Sequence, residues 1–165
     1  MNTQRPEWND ANNALVGNGV SMVTLYYLNR FFNFFEELLE STSTPEVEVS
    51  NEILDFFNKV LSTFEKNIEL LSSSINDIDK KRILDALGQA GDDYRTQIYT
   101  QAFSGRKSKL SFDKLKKFIS LSKSYLEHSI KANKRSDNLY HAYNLMTVNS
   151  DNLSLIHISE PTRPY

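Results

Sequence analysis

The chain has 165 residues, of which 39% are apolar and 24% are charged, a composition that is ordinary for a globular domain with one core. Its formal net charge of -2 comes from interspersed signs rather than from blocks, which argues against a nucleic-acid-binding surface. The sequence contains no cysteine, so disulfide frameworks and thiolate nucleophiles are excluded.

The N-terminus has no basic segment followed by an apolar core, so no signal peptide is visible and a cytoplasmic location is slightly favoured. The apolar run at residues 20–39 has about the length of a membrane span, but Arg30, Glu36 and other polar residues interrupt it. We therefore expect a buried helix here and no membrane partner.

A polar stretch at residues 5–13 opens the chain and holds two carboxylates beside the only tryptophan. Ser21 is a good N-cap for a helix predicted at residues 22–39. Apolar residues lie on nearly every face of this helix. This pattern predicts that other helices enclose it and that its packing partners lie outside the chain.

Residues 46–135 carry apolar residues at steps of three and four, which predicts three further helices. Pro45 is expected in the first turn of the second helix, and Ser111 is expected to cap the fourth. The basic cluster at residues 106–117 is interpreted as a solvated face rather than a binding patch. Residues 139–146 are compatible with a short helix or a strand.

The third helix is predicted from about Asp77 to Phe103. Gly88 and Gly91 weaken it by roughly 1 kcal/mol each relative to alanine. Gly105 is expected to close it, because glycine is the usual residue just past a helix end.

The last segment, residues 153–165, has no periodicity and resembles the translation of a transposon end and adapter used in sequencing libraries. We expect this tail to be an artefact and exclude it from the fold and the function, so His157 is no ligand candidate. On this interpretation the natural protein continues beyond Asn152.

The opening stretch carries the best candidates for chemistry. Glycoside cleavage needs a carboxylic acid that protonates the leaving oxygen, and Glu7 and Asp10 are candidates. Trp8 offers a flat apolar platform for a pyranose ring. Three asparagines can pair with sugar hydroxyls: Asn9, Asn12 and Asn13. From the residues alone, an acidic stretch that caps a helix is the simpler interpretation.

The run Glu-Trp-Asn-Asp-Ala-Asn-Asn at residues 7–13, followed by Gly17, by Gly-Val-Ser at residues 19–21 and by an apolar helix, resembles the Asp-Trp-Asn-Asp-Gly-Met-Asn loop of cellobiose and chitobiose phosphorylases. These enzymes belong to the six-hairpin glycosidase superfamily, whose catalytic domain is a toroid of paired helices. The resemblance implies that Glu7 holds the general-acid position. Asp10 matches the acid of the similar Thr-Trp-Met-Asp loop of debranching α-1,6-glucosidases, so the two are rival acids, and Trp8, Asn9 and Asn13 are substrate-binding residues.

The predicted fold is all-α, with antiparallel helical hairpins that form a fragment of an (α/α) six-hairpin toroid. Residues 1–40 would carry the active-site loop and buried helix, residues 41–152 helical hairpins that could be an insertion, and residues 153–165 the artefactual tail. The expected function is that of a truncated bacterial carbohydrate-active enzyme, either an inverting glycoside hydrolase or an inverting phosphorylase. Its expected partners are a carbohydrate substrate, phosphate if it is a phosphorylase, and the remainder of the parent chain. The isolated chain is expected to be inactive and to need no cofactor. The alternative is a non-enzymatic helical module that binds a partner through its aromatic surface.

Other candidates are weaker. Tyr140, His141 and Tyr143 would line a sugar subsite if the chain folds back to the opening stretch, although a packed histidine is the simpler interpretation of His141. His128 is expected at the surface. The three histidines show no metal-ligand spacing, so no metal site is predicted.

Overall fold

The computed structural model describes residues 19–148 and 154–157, which are largely helical, as predicted. The four α-helices of this part are α1 (Met22–Glu40), α2 (Asn51–Lys66), α3 (Asp77–Gln101) and α4 (Phe112–Ala132), with a 3-10 turn at Ile68–Ser72. The strands are β1 (Gly19–Ser21), β2 (Glu46–Ser50), β3 (Lys107–Ser111), β4 (Tyr143–Val148) and β5 (Ser154–His157). They form two antiparallel sheets, β2-β3 and β1-β4-β5, which the all-α prediction missed.

Three helices begin at a serine that ends a strand. The serine hydroxyl accepts a backbone N–H three residues later, which satisfies a donor that the helix leaves unpaired. The pairs are Ser21 with Thr24 at 3.2 Å, Ser50 with Ile53 at 3.4 Å and Ser111 with Lys114 at 3.3 Å. The predicted caps Ser21 and Ser111 are confirmed.

The two-stranded sheet, called here the β2–β3 ribbon, pairs residues 46–50 with residues 107–111. Its strands have opposite charges: Glu48 lies opposite Lys109, and Lys109 forms an ion pair with Glu46. Cross-strand pairs of opposite charge stabilise an antiparallel ladder. Residues 107–111 of the basic cluster therefore form a strand with an acidic partner, and Lys107 and Lys109 are exposed.

The β2–β3 ribbon also ties down the first residues of two helices. The N–H of Asn51 donates to the Arg106 carbonyl at 3.1 Å, and the N–H of Phe112 donates to the Pro45 carbonyl at 2.9 Å. The prediction that Pro45 lies in a helical turn is wrong. Because proline lacks an N–H donor, it is well suited to a position just before a strand, where its carbonyl alone is used.

Helix α4 lies between α1 and α2. Ile119 is fully buried, and the neighbouring Phe118 ring contacts three rings of the adjacent helices. The ring-centroid distances are 6.2 Å to Phe32, 4.9 Å to Phe57 and 6.1 Å to Phe64. Such aromatic pairs add to the stabilisation that comes from buried apolar area.

Helices α2 and α3 form an antiparallel hairpin, as predicted for consecutive helices. Phe56 stacks on Tyr94, and just past the end of α2 the Asn67 amide oxygen accepts a hydrogen bond from Arg82 at 3.0 Å.

Helices α1 and α4 also run in opposite directions. Near the start of α1, Tyr26 meets Tyr140, which bridges to Lys134 just past the end of α4. Pro45, which follows the end of α1, lies at the first residue of α4. These two helices are therefore antiparallel neighbours although α2 and α3 separate them in the sequence.

Helix α1 is only partly enclosed. Met22 and Leu39 are buried, but a row of large apolar side chains on the opposite face is exposed. This face is open within the described part of the chain, so enclosure by helices outside the chain stays a prediction. Among the described residues, no helix is both long and apolar enough to cross a lipid bilayer.

The second sheet has strand order β1-β4-β5. Its outer strand β5 comes from the segment that was expected to be a translated adapter, and Leu145 pairs with His157. Ladder hydrogen bonds use backbone groups and require no particular side chain, so the pairing is compatible with that origin. Leu153 and residues 158–165 lie outside the described residues.

The glycines of α3 and of the following turn make a matched pair for a stability test. A methyl group at Gly88 would meet no atom within 4 Å, so Gly88→Ala should raise the free energy of unfolding by about 1 kcal/mol through helix propensity. Gly105 has equal space but a φ of +73°, so Gly105→Ala should lower it by about 1 kcal/mol. Urea unfolding of both variants tests the pair, and changes of the same sign would contradict it.

Candidate functional site

The predicted catalytic residues Glu7 and Asp10 and the predicted substrate-binding residues Trp8, Asn9 and Asn13 all lie outside the described residues. The part of the structure that bears on them is β1, which follows this acid-bearing stretch in the sequence. The site is therefore built here from the elements that meet at β1.

Strand β4 brings the C-terminal part of the chain back to β1. Tyr143 is the backbone partner of Ser21, and Leu145 is the partner of Gly19. The first turn of α1 is anchored to the same segment, because the N–H groups of Met22 and Val23 both donate to the Ala142 carbonyl, at 2.9 and 3.3 Å. The fold-back required for Tyr140 and His141 to approach the start of α1 is thus present.

A group of polar residues lines this junction and is called here the polar cluster: Tyr26, Asn133, Tyr140, His141 and Asn144. The Tyr26 hydroxyl donates to the His141 carbonyl at 2.9 Å, and the Tyr26 and Tyr140 rings meet edge to face with centroids 5.5 Å apart. Partial burial raises the pKa of the Tyr26 hydroxyl, and the nearby Tyr140 hydroxyl adds to the effect. Tyr26 therefore acts as a neutral hydrogen-bond donor.

Asn144 is the most buried polar member of the polar cluster, at 2% exposure. Its amide nitrogen donates to the Asn133 side-chain oxygen at 2.6 Å, and the Asn133 amide nitrogen donates to the Ser129 carbonyl at 2.7 Å. Among the described residues, no donor reaches the Asn144 amide oxygen. A buried acceptor without a partner is costly in a folded protein, and a bound water commonly satisfies such a group.

His141 is buried, which agrees with a packed histidine and leaves its backbone carbonyl as the atom that Tyr26 uses. His128 is partly exposed, and a ring nitrogen lies 2.9 Å from the Ser73 carbonyl. In the described ranges, no three metal-binding side chains come together.

Two carboxylates of the described helices, Glu52 and Asp93, have an electrostatic setting opposite to that of a general acid. Hydrogen bonds from Ser104 are the main cause that lowers the pKa of Glu52, and the Lys59 hydrogen bond is the main cause for Asp93. A general acid of a glycosidase needs a raised pKa so that it holds a proton near neutral pH. Neither Glu52 nor Asp93 is suited to that role.

A polar groove of about 440 Å³ lies between α2 and α3. Lys59 and Asp93 close one part of it with an ion pair of 2.6 Å, and Gln89 donates to the same carboxylate at 2.7 Å. These three side chains satisfy one another, so the Asp93 carboxylate is not free to act as a base. We interpret the groove as a solvated helix interface.

The chain matches no protein-family model, and no curated protein is significantly similar to it in sequence. The resemblance of residues 7–13 to the glycosidase loop thus remains a proposal.

Sequence reasoning missed Tyr26, Asn133 and Asn144. The available signal for Tyr26 was a hydroxyl inside an otherwise apolar helix, since a buried tyrosine hydroxyl usually needs a partner. The two asparagines gave no local signal, because their partners depend on how β4 packs against the end of α4.

The hydrogen bond of Tyr26 gives a direct test of the junction. Tyr26→Phe should lower the free energy of unfolding by about 1 kcal/mol, because the His141 carbonyl loses its donor. Tyr99→Phe is the matched control, since this side chain is 83% exposed and should change stability little. Equal stability of both variants in urea would contradict the arrangement.

The lowered pKa of Glu52 predicts an acid-dependent loss of stability. A carboxylate whose folded pKa is depressed stabilises the protein above the ordinary glutamate range, and the contribution disappears as the pH falls through the folded pKa. Glu52→Gln should therefore lower the urea midpoint at pH 7 and make little difference at pH values below the depressed pKa. Glu69→Gln, at an exposed glutamate, is the control; an effect of Glu52→Gln that does not shrink in acid would contradict this role.

Proposed function

We propose that the chain is a fragment of a bacterial carbohydrate-active enzyme that cleaves glycosidic bonds with inversion, as a hydrolase or a phosphorylase. The observation that carries the proposal is the pairing of β1 with β4. It returns Tyr140, His141 and Asn144 to the strand that follows the acid-bearing stretch, which supports a shared sugar site.

The roles follow from the chemistry. Glu7 or Asp10 would protonate the leaving oxygen, and Trp8 would stack on the sugar ring. Asn9 and Asn13 would bind hydroxyl groups. Hydrogen bonds lower the pKa of Glu52 and the pKa of Asp93, so neither of these two carboxylates is a rival for the acid role.

The polar cluster would extend the sugar site. The Tyr140 ring, which is half exposed, offers a second stacking surface, and the buried Asn144 side chain holds the junction behind it through its hydrogen bond to Asn133. Tyr26 orients this segment through the His141 carbonyl.

The helix directions are compatible with a toroid. In a ring of antiparallel hairpins, helices two positions apart in the sequence run in the same direction, as α2 and α4 do, and consecutive helices run oppositely, as α2 and α3 do. The remainder of a longer parent chain would supply the opposing base or the phosphate site. The chain by itself would then bind sugar without turning it over.

A second candidate is a non-enzymatic module that binds a partner through an aromatic surface. The observation that favours it is the exposed apolar face of α1. Sugar binding at Trp8 distinguishes the two candidate functions, because the non-enzymatic module needs no sugar-binding site.

Trp8 is the only tryptophan, so its fluorescence reports directly on the proposed site. Titration of the chain with cellobiose, chitobiose and isomaltose should change the fluorescence with at least one sugar, and Asn13→Ala should weaken that binding about tenfold. Asn58→Ala, in the α2–α3 groove, is the control. A spectrum that stays constant with all three sugars, or release of reducing sugar by the chain alone, would contradict the proposal.

Substitutions in the complete parent enzyme would show which of Glu7 and Asp10 is the general acid. Removal of the true general acid, by Glu7→Gln or Asp10→Asn, should reduce the release of reducing sugar about 10²- to 10⁴-fold. The other variant should retain most of the activity. Full activity in both variants would contradict an acid in this stretch.

A further inference from the structure

Four large apolar side chains form a continuous exposed row on α1, called here the α1 stripe: Tyr27, Phe31, Phe34 and Leu38. Each is between 49% and 64% exposed. Contiguous apolar patches of this kind mark interaction sites in proteins. The stripe lies on one side of α1, while Phe32 and Leu39 on another side face the body of the protein.

The spacing of the α1 stripe is that of a coiled-coil seam. The steps along the helix are four, three and four residues, which place Tyr27 and Phe34 at one core position of a heptad and Phe31 and Leu38 at the other. A helix with this pattern packs against a partner helix that carries the same pattern. A second copy of α1 meets that requirement.

The charges beside the α1 stripe select the direction of such a pair. Arg30 and Glu37 are exposed, seven residues apart, and so occupy equivalent positions on the same edge of the stripe. In an antiparallel pair these edges face each other, which sets Arg30 of one copy beside Glu37 of the other, twice. In a parallel pair Arg30 would instead face the edge that carries the apolar Phe35.

We propose that the α1 stripe is the interface of a two-fold symmetric dimer of this chain, with the two α1 helices antiparallel. Phe31 of each copy packs against Phe34 of the other near the axis, and Tyr27 packs against Leu38 at the ends. Two Arg30–Glu37 ion pairs border this apolar seam. A two-fold axis makes the interface self-complementary, as in most dimers of identical chains. The inference is independent of the glycosidase proposal.

Sedimentation equilibrium of the full chain tests the dimer and its direction. Arg30→Glu and Glu37→Arg should each raise the dissociation constant about tenfold, because each creates two like-charge pairs. The double variant Arg30→Glu/Glu37→Arg exchanges the charges and should return the constant to near that of the unmodified chain. Glu40→Arg reverses an exposed charge of α1 away from the α1 stripe and is the control for net charge.

Phe34→Glu should abolish the dimer, whereas Phe103→Glu, at a phenylalanine that is 53% exposed outside the stripe, should leave it intact. Circular dichroism of both variants shows whether the helices are retained. A chain that is monomeric without substitution would overturn the proposal. A dimer that survives Phe34→Glu, or one whose charge exchange fails to rescue the single reversals, would overturn the interface or its direction.

Discussion

The β2–β3 ribbon sets the positions of two helices that are distant in sequence. Its register aligns Ser50 with Lys107 and Glu46 with Ser111, so the two strands end in serine caps at opposite ends of the ladder. The backbone bonds of Asn51 and Phe112 then extend the ladder into the first turns of α2 and α4. Because α1 packs on α4 and α3 packs on α2, the placement of all four described helices depends on this ladder.

Helices and caps were predictable because their signals are local. The serine caps of α1 and α4 and the apolar steps of α2 lie within one or two turns of the residues they position. The ribbon has a weaker signal, since the alternation of Glu46 and Glu48 indicates a strand only when the pairing of Glu48 with Lys109 is known. Considered separately, the acidic residues at 46–50 were expected to begin a helix, and the basic residues at 107–111 were interpreted as a solvated face.

The candidate site could be predicted only in part, for a related reason. Carboxylates beside a tryptophan can be recognised from the sequence alone, and this pattern indicates Glu7 and Asp10 as acid candidates. The polar cluster is a tertiary feature: Tyr26 and His141 are 115 residues apart, and the pairing of β4 with β1 joins them. Only a known strand pairing could have connected the aromatic segment at residues 139–144 to the opening stretch.

The length of chain between the two strands of the β2–β3 ribbon affects the order in which the elements fold. The ladder closes a loop of about sixty residues, and the entropic cost of that closure falls when the loop is already compact. The α2–α3 hairpin inside the loop relies on contacts between near neighbours, such as Asn67 with Arg82. This hairpin is therefore expected to form first and to bring the strand ends together. Docking of α1 on α4 then comes late, so a nascent chain presents its most aromatic helix before its partner helix is in place.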